Sequence, residues 1–214
     1  MRTVASPTID NVGTDESGVR VRHWTVEDFF RAVNMNFFEH PERLELIDGE
    51  VVERMTAQND PHFTHVHVAT IVLGKAFGPE CVVRQQGPFQ ISDKDYVEPD
   101  VLVVKGTYLD YLDKGPDPSD VILVMEVSDT TLAFDRNRKA ALYAEAGVPE
   151  YWLLNLNARC LEVRRDPMPT PDNRYGFGYR QTILYQENEM VTPLAAPQAD
   201  IQLKELLPKP QAGQ

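Results

Sequence analysis

Residues 121–128, Val-Ile-Leu-Val-Met-Glu-Val-Ser, constrain the fold more than any other stretch of the chain. A short apolar run rich in β-branched residues reads as a strand buried on both faces, and therefore as an interior strand of a sheet. Its single charged residue, Glu126, sits where water should be excluded. A second run, Tyr-Val-Glu-Pro-Asp-Val-Leu-Val-Val at 96–104, places Asp100 at the entrance to another such strand. Carboxylates are costly to bury unless they are paired, hydrogen-bonded or metal-bound. A hard divalent cation held between Asp100 and Glu126 is the simplest explanation, with the carbonyl of Val127 as a further oxygen ligand at the strand end. Lys139 follows on a helical segment and could serve the same place as a point charge.

The rest of the chain supplies elements around these strands. Residues 1–20 are rich in Gly, Asp, Ser and Thr and read as a flexible arm. Thr25 can cap a helix whose apolar side carries Phe29, Phe30, Val33 and Phe37. Asp48-Gly49 between alternating runs predicts a tight hairpin, and its residue types answer to turn dihedrals. Asp60 and Pro61 suit the N-cap and first turn of a helix running to Phe77, with Phe63, Val66, Ala69, Val72, Leu73 and Ala76 on its apolar face. Short strands follow near 81–85 and 88–92. A long connection spans 105–119. A helix from Ala133 to Ala146 ends at Gly147 before Pro149, a hairpin covers Tyr-Trp-Leu-Leu-Asn-Leu and Arg-Cys-Leu-Glu-Val-Arg-Arg, and another strand lies in Tyr-Gly-Phe-Gly-Tyr-Arg-Gln-Thr-Ile-Leu-Tyr. Strands and helices in this order, around an interior strand, predict an α/β domain bordering on α+β, with a mixed sheet. The 214 residues suffice for one sizeable core, so a single domain over 21–205 is expected, with 206–214 as a fraying tail.

Composition narrows the function classes. An excess of 33 acidic over 21 basic side chains gives a formal charge of −12, which opposes nonspecific attraction to nucleic acid or an anionic membrane and requires any nucleic-acid groove to be locally positive. No apolar run is long enough to span a membrane, and Met1 opens no signal-like stretch. Cys81 and Cys160 lie in strand-like runs and read as buried free thiols, in keeping with a reducing cytoplasm. Neither a phosphate-binding loop nor a nucleophile elbow is present. His62, His65 and His67 lack zinc-site spacing with one another or with the cysteines.

Taken jointly, Leu-Glu-Leu-Ile-Asp-Gly-Glu-Val-Val, the His65-bearing helix, Glu-Pro-Asp-Val-Leu-Val-Val, Met-Glu-Val-Ser-Asp-Thr-Thr and the 135–155 segment resemble the Uma2-type family of the PD-(D/E)XK restriction-endonuclease-like superfamily over roughly residues 40–165. The resemblance implies a mixed central sheet flanked by helices, with added antiparallel hairpins. It also implies a Mg²⁺-dependent endonuclease, with Mn²⁺ able to substitute, that acts on DNA. Asp100 stands for the aspartate of the motif, Glu126 for its second acid, and Glu45 for an upstream glutamate. The lysine usual two residues after the second acid is absent, since position 128 is serine. The basic group maps instead to Lys139, with Asp135 one turn earlier.

Plainer readings compete at several positions. Lys139 could pair with Asp135 on a solvated helix face, Asp100 could be a strand-edge residue after Pro99, and Glu45 could face outward from its hairpin. His65 either contacts phosphate or water near the site or caps its helix, while Arg84 and Gln86, on the strand leading to Asp100, could touch substrate or serve the surface. Serine at 128 also motivates an alternative function, a non-catalytic interaction or structural protein on the same scaffold. Apolar groups in the first helix, the Tyr108-to-Leu112 segment and the late strand lead us to expect a homodimer.

Overall fold

The computed structural model describes residues 21–54 and 60–208. The expected arm and the segment after Pro208 lie outside them. Thr25 accepts the backbone N–H of Asp28 at 3.1 Å and starts α1, Val26–Asn34. The helix stops before Phe37, which is left exposed. Strands β1, Leu44–Ile47, and β2, Glu50–Glu53, form the hairpin, with positive φ at both Asp48 and Gly49 as its mirror-image turn demands. A side chain at Gly49 would also collide with His23, so glycine answers to space as well as dihedral.

Helix α2, Asp60–Phe77, leads to β3, Cys81–Gln85, β4, Phe89–Gln90, β5, Tyr96–Val97, and β6, Val101–Lys105. After the long connection comes β7, Val121–Ser128, every residue of it buried. The next helical segment is in three parts: α3, Leu132–Phe134, a π-helical turn at Asp135–Lys139, and α4, Ala140–Glu145, closed by Gly147 at φ 74°. The remaining elements are β8, Glu150–Asn155, β9, Cys160–Pro169, β10, Phe177–Gln186, β11, Met190–Val191, β12, Ile201–Gln202, and α5, Leu203–Leu206.

The main sheet has the order β10-β9-β8-β7-β6-β3, and β7 pairs β6 antiparallel and β8 in parallel. It is the mixed sheet expected, and α3 through α4 make the crossover that a parallel pair requires. A second sheet, β2-β1-β5-β4, holds the hairpin. Strand alternation divides the core. Val101, Val103, Met125 and Val127 pack with Val66 and Leu73 of α2, and Leu102, Val104 and Val124 pack with Tyr143 of α4 and with Phe89 and Val97 of the smaller sheet. Two expectations need correction. Phe63 is 51% exposed because it lies with His67 and Ile71 along the outer side of α2, stacked on the His67 ring. At the C-terminal end, Leu206 and Leu207, assigned to the tail, are buried in the α2-side core. Both cysteines are free thiols.

The π turn is tied to the sheet. Arg136 Nε donates to Glu162 Oε1 at 2.8 Å, Arg164 Nη2 donates to Glu162 Oε2 at 3.0 Å, and Arg164 Nη1 donates to the Arg136 carbonyl at 2.7 Å. Burial works against the Glu162 carboxylate, but the two arginines outweigh it and hold its pKa below the ordinary value. A depressed carboxylate stabilises the fold above its unfolded pKa and loses that contribution as pH falls through the folded one. Glu162→Gln should therefore cost about 2 kcal/mol at pH 7, tempered by the exposure of Arg136. The gap to wild type should close on acidification below the carboxylate range, read from urea unfolding at several pH values. A gap that is unchanged at acid pH would remove the ion cluster as its cause.

Candidate active site

Register sets the site. Val101 pairs Met125 across β6 and β7, so Asp100, one residue before β6, lies opposite Glu126, and strand alternation turns both side chains toward α4. Both are nearly fully buried. Each carboxylate accepts a backbone N–H from across the strand pair: Val127 N donates to Asp100 Oδ2 at 2.9 Å, and Asp100 N donates to Glu126 Oε2 at 3.3 Å. Lys139 comes from the end of the π turn, 4% exposed. Its Nζ donates to Glu126 Oε1 at 3.0 Å and to Glu45 Oε1 at 3.1 Å, so its place is the buried cluster and not a solvated helix face. The extra residue of a π turn rotates the helix beyond it relative to an unbroken α-helix, and such turns concentrate at functional sites.

Glu45, 1% exposed, faces inward from β1; its Oε1 also accepts from the backbone of Glu98 at 3.1 Å, while its buried Oε2 meets no hydrogen-bond partner among the described residues. Gln86 has φ of 45°, a strained conformation for a non-glycine residue, and its Nε2 donates to Asp100 Oδ1 at 3.2 Å. Asp135 is buried beside Thr131, whose Oγ1 donates to Asp135 Oδ2 at 2.5 Å, and its charge acts on Lys139. Two of the accessory residues stay outside. Arg84 lies with its guanidinium against Gly87 and close enough to Tyr96 and Tyr111 for its charge to act on them. His65 turns Nδ1 to the Pro61 carbonyl at 2.6 Å, a contact within its own helix.

Sequence reasoning missed two groups. His62, one helical turn before His65, brings Nε2 to 2.9 Å from the Val127 carbonyl and 3.2 Å from Asp100 Oδ2. Its place after Pro61, in the first turn of α2, was the available signal. Tyr143, one turn beyond Lys139, donates its hydroxyl to Glu126 Oε1 at 2.6 Å; the i,i+4 spacing of Lys139 and Tyr143 could have found it.

Electrostatics differ sharply between the two opposed acids. Burial pushes Glu126 up to about 8 against the pull of Lys139, with Asp100, Asp135 and Glu45 adding repulsion. Asp100 suffers the same burial, yet the His62 contact and the Val127 N–H hold it below the ordinary aspartate value. Burial opposes the Lys139 charge, and the surrounding carboxylates, Glu126 and Glu45 first, overcome it and raise its pKa. The amine therefore stays charged, and of the two opposed acids Glu126 is the one that more readily carries a proton.

Among the described residues, no group of three or more His, Cys, Asp or Glu side chains forms a ready-made metal cage. What converges is a mixed set: Asp100 Oδ2, the Val127 carbonyl and His62 Nε2, with Glu126 Oε2 bonded to the Asp100 backbone. Hard oxygens on two opposed acids and a carbonyl suit a cation such as Mg²⁺ or Mn²⁺, and Glu45 Oε2, without a hydrogen-bond donor among the described residues, marks a cluster with acceptor capacity left over.

Opposed acids on neighbouring strands of a mixed sheet, with a buried helix-borne lysine beside them, define a restriction-endonuclease-like protein of the PD-(D/E)XK superfamily. The Uma2 family profile, described as "Putative restriction endonuclease", matches residues 26–204, and the chain belongs to that family. The fold is similar to that of a crystallised DUF820 protein from Anabaena variabilis ATCC 29413, at 15% identity and TM-score 0.59, covering 85% of this chain and 96% of that one. No curated protein matches the chain. Among the described residues no helix is long and apolar enough to cross a membrane.

Proposed function

We propose that this protein is a metal-dependent endonuclease that hydrolyses phosphodiester bonds, with DNA as its favoured substrate. The observation that carries the reading is the Lys139 amine within 3.0 Å of Glu126, whose carboxylate stands opposite Asp100. Asp100, Glu126 and the Val127 carbonyl would hold Mg²⁺ or Mn²⁺. Such an ion, when bound, neutralises a phosphoryl oxygen and eases deprotonation of a water.

The chain's own residues account for the remaining needs. In hydrolysis, the water oxygen bonds to phosphorus as the bond to the leaving oxygen breaks, and negative charge grows on the phosphoryl oxygens. Lys139 supplies fixed positive charge in a site that excludes water, where such charge acts most strongly. An ammonium has three protons, and Glu45 and Glu126 engage two of them. The third can face the attacking water or a phosphoryl oxygen. Glu45 holds the amine in position, Tyr143 fixes Glu126, and Gln86 fixes Asp100. Two-fold pairing would present two such sites to a duplex, and Tyr108, Leu109 and Leu112, each more than 70% exposed, offer apolar surface for it.

The test is cleavage of duplex DNA, single-stranded DNA and RNA with Mg²⁺ or Mn²⁺. Divalent-dependent DNA cleavage is expected, falling at least about 100-fold in Asp100→Asn. Absence of divalent-dependent cleavage of every substrate would overturn the reading, as would equal rates in the variant.

A further inference from the structure

His62 is placed where a cation between Asp100 and Val127 would need a neighbour. Its Nε2 is 3.2 Å from Asp100 Oδ2 and 2.9 Å from the Val127 carbonyl oxygen. Adjacent ligands of an octahedral ion with bonds of about 2.1 Å are about 3.0 Å apart, because the edge of an octahedron is roughly 1.4 times its bond length. The nitrogen thus already stands from each of the two oxygens at the spacing of a neighbouring corner around one ion. The contact is also a long-range one, joining the first turn of α2 to the end of β7, 65 residues away in sequence. The side chain is 15% exposed, which restricts its freedom to swing out of the site.

We propose that His62 Nε2 is a direct ligand of the metal in this site, alongside Asp100, Glu126 and the Val127 carbonyl, and that it biases the site toward Mn²⁺ over Mg²⁺. The inference rests on the metal-dependent reading above. Nε2 faces two acceptors and so carries a proton in the metal-free arrangement. Coordination replaces that hydrogen: a neutral ring shifts its proton to Nδ1, or a charged ring releases one to solvent, and the Nε2 lone pair becomes the donor. Imidazole favours first-row transition ions, whereas Mg²⁺ prefers oxygen and water. A site with one imidazole among its oxygens should discriminate between the two ions in a way that an all-oxygen site does not.

The experiment is pulsed electron paramagnetic resonance on the full chain loaded with Mn²⁺, compared with protein labelled with ¹⁵N-histidine and with His62→Gln. Glutamine can still donate a hydrogen bond toward the Val127 carbonyl but lacks the imidazole nitrogen, so the variant keeps a polar group in place. Nitrogen modulation from a coordinated ring is expected in the wild-type complex, changed by the ¹⁵N label and lost in His62→Gln. The variant should bind Mn²⁺ about 10-fold more weakly, with a smaller change for Mg²⁺. Circular dichroism and the melting profile of the variant confirm that it is folded. If wild-type protein binds Mn²⁺ without nitrogen modulation, or if modulation persists in folded His62→Gln, the inference fails and the metal-dependent reading stands. If Mn²⁺ does not bind at all, both fail together.

Discussion

Lys139→Ala is expected to damage the protein twice, through its stability and through its chemistry. The amine lies between Glu126 and Glu45, at 3.0 and 3.1 Å, and all three side chains are at most 5% exposed. Removing one partner of a buried ion cluster leaves uncompensated charge, with a typical cost of about 3–5 kcal/mol. The sign of its pH dependence comes from burial. Glu126 is already pushed up to about 8 with the amine present, and without it this carboxyl must take up a proton to remain buried. Groups whose folded pKa is raised favour the fold at low pH and oppose it as pH rises. Urea unfolding should therefore find the variant much less stable than wild type at pH 8, with the deficit shrinking toward pH 5. DNA cleavage should fall by about 10²–10³, the usual effect of losing one preorganised electrostatic group. Equal stability at pH 8 would show that the amine does not neutralise the carboxylates, and undiminished cleavage would remove Lys139 from the mechanism.

The site is legible in the sequence to the extent that it depends on strand periodicity. Alternation in 101–104 and 121–127 fixes which residues share a face, and a charged residue in a doubly buried strand carries its own anomaly, so the pattern alone singles out Asp100 and Glu126. Likewise, the Asp48-Gly49 turn and the stop at Gly147 are local events, each governed by the dihedrals of one or two residues. His62 shows where that legibility ends. Three histidines within six residues present the same chemistry, and choosing among them requires the rotation of α2 about its axis relative to the sheet, which is decided by packing of Val66, Ala69 and Leu73. The π turn is a similar case. Asp-Arg-Asn-Arg-Lys carries no helix breaker, and the wider turn is accompanied by distant partners, with Arg136 and Arg164 on Glu162 and Tyr151 donating to the Asp135 carbonyl at 3.0 Å. Gln86 stands out in the sequence by its position, but its positive φ is not a glutamine preference and comes from the surroundings.

Away from the chemistry, Glu150→Ala should produce a loss of stability of similar size with the site left intact. Glu150 opens β8 and is fully buried. Its Oε1 accepts Arg165 Nε at 2.8 Å and its Oε2 accepts the backbone N–H of Leu194 at 2.8 Å, while Arg165 Nη2 reaches the Thr192 carbonyl at 2.7 Å. This one carboxylate therefore joins β8 and β9 to the segment leading from β11 to β12 and α5, whose Ile201, Leu203, Leu206 and Leu207 complete the core against α2. Alanine would leave a largely buried guanidinium and a backbone donor without their acceptor, a defect worth about 3–5 kcal/mol. Glu150→Gln, which keeps a neutral acceptor, should lose less. The side chain lies near the start of β8, whereas Glu126 is paired with Leu153 further along the strand. Nuclease activity of the folded fraction should therefore match wild type at temperatures well below the variant's midpoint. A Glu150→Ala protein that melts like wild type would deny the clamp, and one that remains folded but loses cleavage would show that the two ends of β8 are coupled.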